Sequence, residues 1–277
     1  MKALKKLVDT TLRDGEQSPG YALTLRQKVK IASILDGAGI AQIEAGIPSV
    51  GPYEQETIRE IVRRKQHALI SVWSRMNPDD IKTAFRCCPD LIHIGVPVSY
   101  VQIYTKLRRN KNWLVKTMLS CTDLALSNGF AVSVGFEDAS RADPTFLILL
   151  ADELNRAGIK RIRYADTVGV LNPSRTYQAV QELIQYSGAE VEFHAHNDLG
   201  MAVANSLAAA KAGAVCIDTT VYGIGERAGN CNLTRFVSAC EPIYSVFPGH
   251  GAALEVERKT RDILLNRRKD DSYETWN

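Results

Sequence analysis

No stretch of this sequence approaches the roughly 20 consecutive apolar residues that cross a bilayer, and Met1–Lys6 lacks the apolar core of an export signal. No membrane partner and a cytoplasmic setting are therefore expected. Charge of one sign is also scarce: 34 lysines and arginines against 31 aspartates and glutamates leave a formal net charge of +3. That excess is too slight to argue for nucleic acid. The small basic clusters, Arg63-Arg64-Lys65 and Arg267-Arg268-Lys269, read as solvated helix faces or ends; at most they steer an anionic substrate. Six cysteines are scattered, with Cys87 and Cys88 adjacent. This spacing suits neither a disulfide framework nor a CxxC zinc site, and reduced thiols are the simplest reading.

What is present is a globular composition, 45% hydrophobic and 23% charged over 277 residues, a length typical of an α/β barrel. Short apolar runs recur at Leu7–Leu12, Ile40–Ile47, Ala68–Trp73, Leu91–Val98, Ala131–Phe136, Arg161–Ala165, Val191–Phe193 and Val215–Val221. Helical periodicity fills the gaps. Between Thr24 and Ala38, residues Leu25, Val29, Ile31, Ala32 and Leu35 make an apolar stripe ahead of Gly37 and Gly39, a stop signal. Asp143-Pro144 and Asn172-Pro173 open two further helices, and Ala157-Gly158 and Ala212-Gly213 close two, in the usual asymmetry of Pro at the start and Gly at the end. Strand–helix alternation repeated about eight times predicts an α/β fold, a (β/α)8 TIM barrel. An open doubly wound sheet is the alternative. The expected organisation is one barrel domain over residues 1–250, then a helix (252–265) and a polar tail, together 251–277.

Polar residues gather just after the apolar part of nearly every run: Arg13-Asp14, Glu44, Arg75, Ser99, Glu137-Asp138, Asp166-Thr167, His194/His196 and Tyr222. A barrel brings eight C-terminal strand ends around one pocket. Among them, Phe193-His194-Ala195-His196-Asn197-Asp198 puts two imidazoles at i and i+2, on one face of a strand. With Asp14 they suit a hard or borderline divalent ion with positions open for substrate; structural hydrogen bonding inside the barrel is the plainer alternative. Asn230, ending Gly223-Ile224-Gly225-Glu226-Arg227-Ala228-Gly229-Asn230, is a candidate fourth ligand, the glycines allowing close backbone approach. Arg13, beside Asp14, calls for an anion joining it to the cation, such as a substrate oxygen gaining charge. A salt bridge to Glu44 or Glu137 is compatible with that role.

These residues resemble a known family. Leu12-Arg13-Asp14-Gly15-Glu16-Gln17, followed by Lys28, is similar to the first motif of the α-isopropylmalate and homocitrate synthases. Val191 to Ala204 resembles their second motif, and the Gly223–Asn230 loop their last βα loop. Glu44–Ser49, Pro97–Ser99 with Lys106, Leu107 and Trp113, Gly135–Asp143 and Ala165–Gly169 look most like nitrogen-fixation homocitrate synthases. The resemblance spans about residues 5–245. It implies that Asp14, His194 and His196 hold a divalent metal (Mg2+, Mn2+ or Zn2+) with Asn230 near it, and that Arg13 stabilises an enolate or alkoxide. It further implies that Thr167 binds a 2-oxo acid carboxylate, that His93 lines the substrate pocket, and that Glu137 belongs to the acid–base apparatus. Glu44 would tune substrate choice or simply hold Arg13. Read from the residues alone, Glu137 could instead pair with Arg141 or Arg163, Thr167 could be an ordinary strand-end hydroxyl, and His93 a core histidine.

The implied activity is an acyltransfer: acetyl-CoA condenses with a 2-oxo acid and hydrolysis releases CoA. Family members continue past the barrel into a region bearing a catalytic histidine, so a separate subunit supplying it is one expectation; His250 lies in the wrong context. Ser133 stands where lysine-pathway homocitrate synthases carry an arginine for the distal carboxylate, and Tyr100 stands where an acidic residue is typical. Two alternatives remain open: an aldol-type lyase of the hydroxymethylglutaryl-CoA kind, and a barrel subunit that needs a partner chain. In the lyases the last loop carries a cysteine in a Gly-Gly-Cys-Pro setting, whereas here it reads Gly-Glu-Arg. A homodimer is the expected assembly.

Overall fold

The apolar runs become parallel strands: β1 Leu4–Asp9, β2 Gln42–Glu44, β3 Leu69–Arg75, β4 Leu91–Pro97, β5 Ala131–Glu137, β6 Arg161–Asp166, β7 Glu190–Ala195 and β8 Cys216–Thr219. Each pairs with the next. The ring closes because β1 pairs with β8 (Leu7 opposite Ile217) and with β2 (Val8 opposite Gln42), as the expected (β/α)8 TIM barrel requires. The structure is a computed structural model describing residues 2–265. The predicted polar tail, with Arg267-Arg268-Lys269, lies outside the described residues.

The helices are α1 Leu25–Gly37, α2 Pro52–Arg64, α3 Pro78–Phe85, α4 Lys111–Ser127, α5 Pro144–Arg156, α6 Pro173–Ser187, α7 Ala202–Ala212, α8 Leu233–Cys240 and α9 His250–Leu265. Their starts follow the sequence signals. Thr24 and Gln27 form a reciprocal capping box on α1, while Asp143 and Asn172 accept backbone N–H bonds ahead of a proline at the first position of α5 and α6. The last helix begins two residues earlier than expected and packs against α1 and α8. A ninth strand, β9 Ser245–Phe247, was not expected. It pairs outside the ring with Leu4–Lys6, the strand's N-terminal half, and three residues are too few to show a period.

The inside of the barrel departs from the usual stack of branched aliphatics. In β6, Ile162 and Tyr164 point outward beneath the helices, whereas Arg161 and Arg163 alternate with them; in β7, Glu192 and His194 alternate with Val191 and Phe193. Arg163 on β6 bonds Glu44 on β2 at 2.7 Å. Those strands are four apart around the ring in either direction, so the bond runs through the interior. Arg163 also meets Glu192 at 2.5 Å and Asp218 at 2.9 Å. One layer lower, Arg161 reaches Gln42 at 2.7 Å. The core of apolar contacts lies between strands and helices; the lumen is charged.

Candidate metal centre

Asp14, His194 and His196 converge at the C-terminal mouth of the barrel. His194 is on β7. His196 is one residue beyond it, held by a bridge to the backbone of Asn230. Asp14 sits in the tight turn after β1, where the N–H groups of Arg13, Asp14 and Gly15 all donate to the carbonyl of Thr10. The donor atoms lie close together: His194 Nε2 to Asp14 Oδ2 is 3.0 Å, His194 Nε2 to His196 Nε2 is 3.3 Å, and His196 Nε2 to Asp14 Oδ2 is 3.7 Å. A cation about 2.1 Å from each donor requires separations of roughly 3–3.5 Å. All three side chains are buried, and Asp14 Oδ1, His196 Nδ1 and Asn230 Oδ1 are buried without a hydrogen-bond partner. Buried polar atoms left unpaired are costly, and the carboxylate and amide oxygens Asp14 Oδ1 and Asn230 Oδ1 are acceptors that a cation would satisfy. The donor set fits a divalent cation.

The electrostatics agree. Burial alone would raise the Asp14 pKa, but Arg13 and then His194 hold it far below the usual carboxylate range. Burial works against a charged His194, yet its bonds to Asp14 and Asp218 push its pKa up to about 9. Burial and the neighbouring His194 hold His196 near 4. A proton and a divalent cation thus compete for the position between these groups.

Arg13 donates through Nε to Glu44 at 2.5 Å and lies 3.1 Å from Asp14 through Nη1, which realises the expected Glu44 bridge. Glu137 ends β5. Of the partners its sequence neighbourhood offered, Arg141 is taken by Asp138 and Arg163 by Glu44, Glu192 and Asp218. Burial raises the Glu137 pKa, against the weaker pull of Lys106 and Arg13. Thr167 Oγ1 accepts the Asp138 N–H at 2.8 Å, which leaves its own proton to donate. His93 is enclosed at 1% exposure, with Nδ1 2.8 Å from Ser133 Oγ. A Cβ on Gly135 would come within 2.4 Å of its Nε2, so glycine there makes room for the ring. Burial and then Arg163 lower the His93 pKa to about 3, leaving a neutral imidazole.

The last loop brings a correction of detail. Its glycines admit the loop itself: a Cβ on Gly225 would fall 2.0 Å from Asn230 Nδ2, and one on Gly229 2.1 Å from Gly223 O. Asn230 Nδ2 donates to Ile224 O at 3.0 Å, so Oδ1 is the atom left over.

Several residues of the site were not foreseen. Asp218 Oδ2 lies 3.0 Å from His194 Nδ1, fixing the tautomer and turning Nε2 toward the centre. Arg227, at φ 52°, holds Asp198 through two bonds of 2.7 and 3.0 Å and donates to Thr167 O at 2.7 Å. Ser99 and Asp138, both expected near the mouth, are joined directly, Ser99 donating to Asp138 at 2.6 Å. The loops after β4, β5, β6, β7 and β8 are therefore tied together. The available signal was the charge inside runs read as apolar, Arg161/Arg163, Glu192 and Asp218, with Glu192 in period two with His194 and His196.

Comparison with known proteins follows the same outline. The HMGL-like family matches residues 5–246. The homocitrate synthase subunit alpha of Clostridium pasteurianum is 44% identical over 237 residues, which is 86% of this chain and 88% of that protein. A 2-isopropylmalate synthase 2 of Caldanaerobacter subterraneus is 42% identical over 240 residues, covering 87% of this chain but 62% of that protein. Among solved structures, the hydroxymethylglutaryl-CoA lyase of Pseudomonas aeruginosa superposes with a TM-score of 0.83 at 18% identity, covering 95% of this chain and 94% of that one. At that identity the likeness is one of fold.

Proposed function

The chain belongs to the HMGL-like family, and on that footing we propose that it is a divalent-metal-dependent acyltransferase condensing acetyl-CoA with a 2-oxo acid, homocitrate synthase-like. The observation that carries this reading is the convergence of Asp14, His194 and His196 beside Arg13 at the barrel mouth. The synthase names of relatives at 42–44% identity support it.

Asp14, His194 and His196 would hold the cation, with Asn230 Oδ1 as a further donor. When bound, the cation supplies Lewis-acid polarisation of the ketone. Arg13, clamped by Glu44 and Asp14, presents its remaining N–H donors to the ketone oxygen, where negative charge builds as the new C–C bond forms. Thr167 donates its hydroxyl proton to the substrate carboxylate, and His93 with Ser133 forms the floor. Glu137, its pKa raised toward the working range, takes a proton from the acetyl methyl group. The carbanion adds to the ketone carbon, and the resulting alkoxide takes up a proton. Water then cleaves the thioester, giving the CoA thiol and a new carboxylate.

The lyase alternative has less support. The Gly223–Asn230 loop holds Glu226 and Arg227 and no cysteine, and Cys231, just beyond it, is fully buried, with burial pushing its thiol up to about 12. A second reading draws on a specific observation: the relative covered to 88% is named a subunit, so the active species would include a second chain.

The test is thioester loss from acetyl-CoA with Mg2+, Mn2+ or Zn2+ across a panel of 2-oxo acids. Absorbance of the thioester is the preferred readout because Cys88 is exposed to thiol reagents. Turnover with one oxo acid, lost in Asp14→Ala and His196→Ala, supports a self-sufficient synthase. Metal binding without turnover favours the two-chain reading, and cleavage of a hydroxyacyl-CoA would sink the synthase in favour of the lyase.

A further inference from the structure

After β4 the chain forms a π-helical turn, Val101–Lys106, a rare conformation that is frequent at functional sites. It stacks Tyr100 on Tyr104, with centroids 5.8 Å apart and 14° between rings, and leaves them 50% and 47% exposed. Lys111 fixes the back of the stack, 4.8 Å from the Tyr100 ring and 3.3 Å from its hydroxyl, and is itself tied to Asp143 at 3.2 Å. Lys106 ends the turn, Arg108 and Arg109 follow it, and all three are exposed. Arg108 adopts a left-handed backbone (φ 53°), and Arg109 lies 5.2 Å over Trp113. Ser99, just before the turn, donates to Asp138 beside Glu137 at 2.6 Å, and Lys106 opposes the burial-driven rise of the Glu137 pKa, so the patch borders the mouth of the barrel.

Two half-exposed rings bordered by three exposed cations match a purine carrying several phosphates: the base extends the stack, and the cations take the phosphates. The basic residues are confined to one loop and form no track of the kind a nucleic acid backbone needs. Resting on the condensation reading above, we infer that this loop is the subsite for the nucleotide end of the CoA thioester. Tyr100 and Tyr104 receive the adenine, and Arg108 and Arg109 receive the 3′-phosphate and diphosphate. Lys106 lies between them and the mouth, where the pantetheine arm enters past Glu137.

Isothermal titration of the intact protein with CoA, 3′-dephospho-CoA and the truncated thioester S-acetyl-N-acetylcysteamine tests this, with circular dichroism confirming that each variant folds. Tyr104→Ala is expected to weaken CoA binding by about tenfold. The double variant Arg108→Asn with Arg109→Gln keeps a residue that tolerates the left-handed backbone. It is expected to weaken CoA binding, flatten its salt dependence and erase any preference over 3′-dephospho-CoA. The truncated thioester should bind all variants alike. CoA affinity within about twofold of the parent in both variants overturns the placement and leaves the condensation reading standing. Equal weakening of the truncated thioester overturns it too, by showing a general distortion. If the parent protein binds no CoA, the placement and the condensation reading fall together.

Discussion

His194 offers Nε2 to the centre because Asp218 holds Nδ1. Partners of this kind typically contribute 10- to 100-fold in metal affinity, so Asp218→Asn should weaken Mn2+ or Zn2+ binding by about that factor in a direct titration. Unchanged affinity would mean that Asp218 serves the charged lumen alone. Glu137→Gln should lower kcat by roughly 10²- to 10⁴-fold and leave metal affinity intact. The parent enzyme's activity should fall as pH drops through the raised Glu137 pKa, because the base is then protonated. A Gln variant that keeps the same acidic limb would remove Glu137 from the acid–base role. Asp9 is a different case. Burial, and to a lesser degree Asp218, pushes its pKa up to about 7 despite hydrogen bonding from Thr11, whereas an unfolded Asp titrates near 4. Between those values the native state binds more protons than the unfolded one, so this residue costs stability as pH rises from about 4 to 7. Asp9→Asn should therefore raise the melting temperature relative to the parent at pH 8 and change it little at pH 4; equal shifts at both would contradict the assignment.

At the scale of elements, Arg227 binds the loop after β8 to those after β6 and β7, and Asn230, three residues on, meets His196 from the same loop. Arg227 is 41% exposed, so its ion pair should add less than about 1 kcal/mol to global stability. Its loss should appear locally: Arg227→Ala is expected to speed amide exchange at residues 223–230 with little change in melting temperature. Slow exchange there in the variant would show that the glycine-lined packing of the loop suffices. The order of elements was legible because apolar runs and Pro/Gly punctuation are local signals; α1, α5 and α6 begin where Thr24, Asp143-Pro144 and Asn172-Pro173 were expected to open them. Two parts of the site were legible for the same local reason, the His194/His196 pair and the Arg13-Asp14 turn. Boundaries were less so. Leu12 is buried in the turn and not on β1, because burial and strand pairing are distinct. The lumen was not legible: Glu192, Arg163 and Asp218 find partners on strands far away in sequence, and no spacing announces a cross-barrel bond.

For the whole molecule, the lumen and the Asp14, His194 and His196 cluster form one electrostatic body. Arg163 faces Glu44, Glu192 and Asp218, and its loss leaves them only Arg13, Arg161 and His194 as partners; removing one member of a buried charge network typically costs up to about 3–5 kcal/mol. Arg163→Met should show that loss in urea unfolding; a stable variant would mean the carboxylates take up protons instead. A cation that binds only the folded barrel should stabilise it by about 2.7 kcal/mol at 100 times its Kd. Melting with Mn2+ against chelator should show the gain in the parent and none in Asp14→Ala. The same charged lumen governs the order in which the molecule can be made. Glu44 leaves the ribosome 119 residues before Arg163, an interval of roughly ten seconds at common rates of synthesis. Throughout it the nascent half-barrel carries the Glu44 carboxylate on what will be its inner wall without its cross-barrel partner, and an open strand edge. Inward-pointing charges are a known guard against edge-to-edge pairing, and Glu44, which later meets Arg163 across the barrel, is the charge that β2 carries on its inner face in that interval.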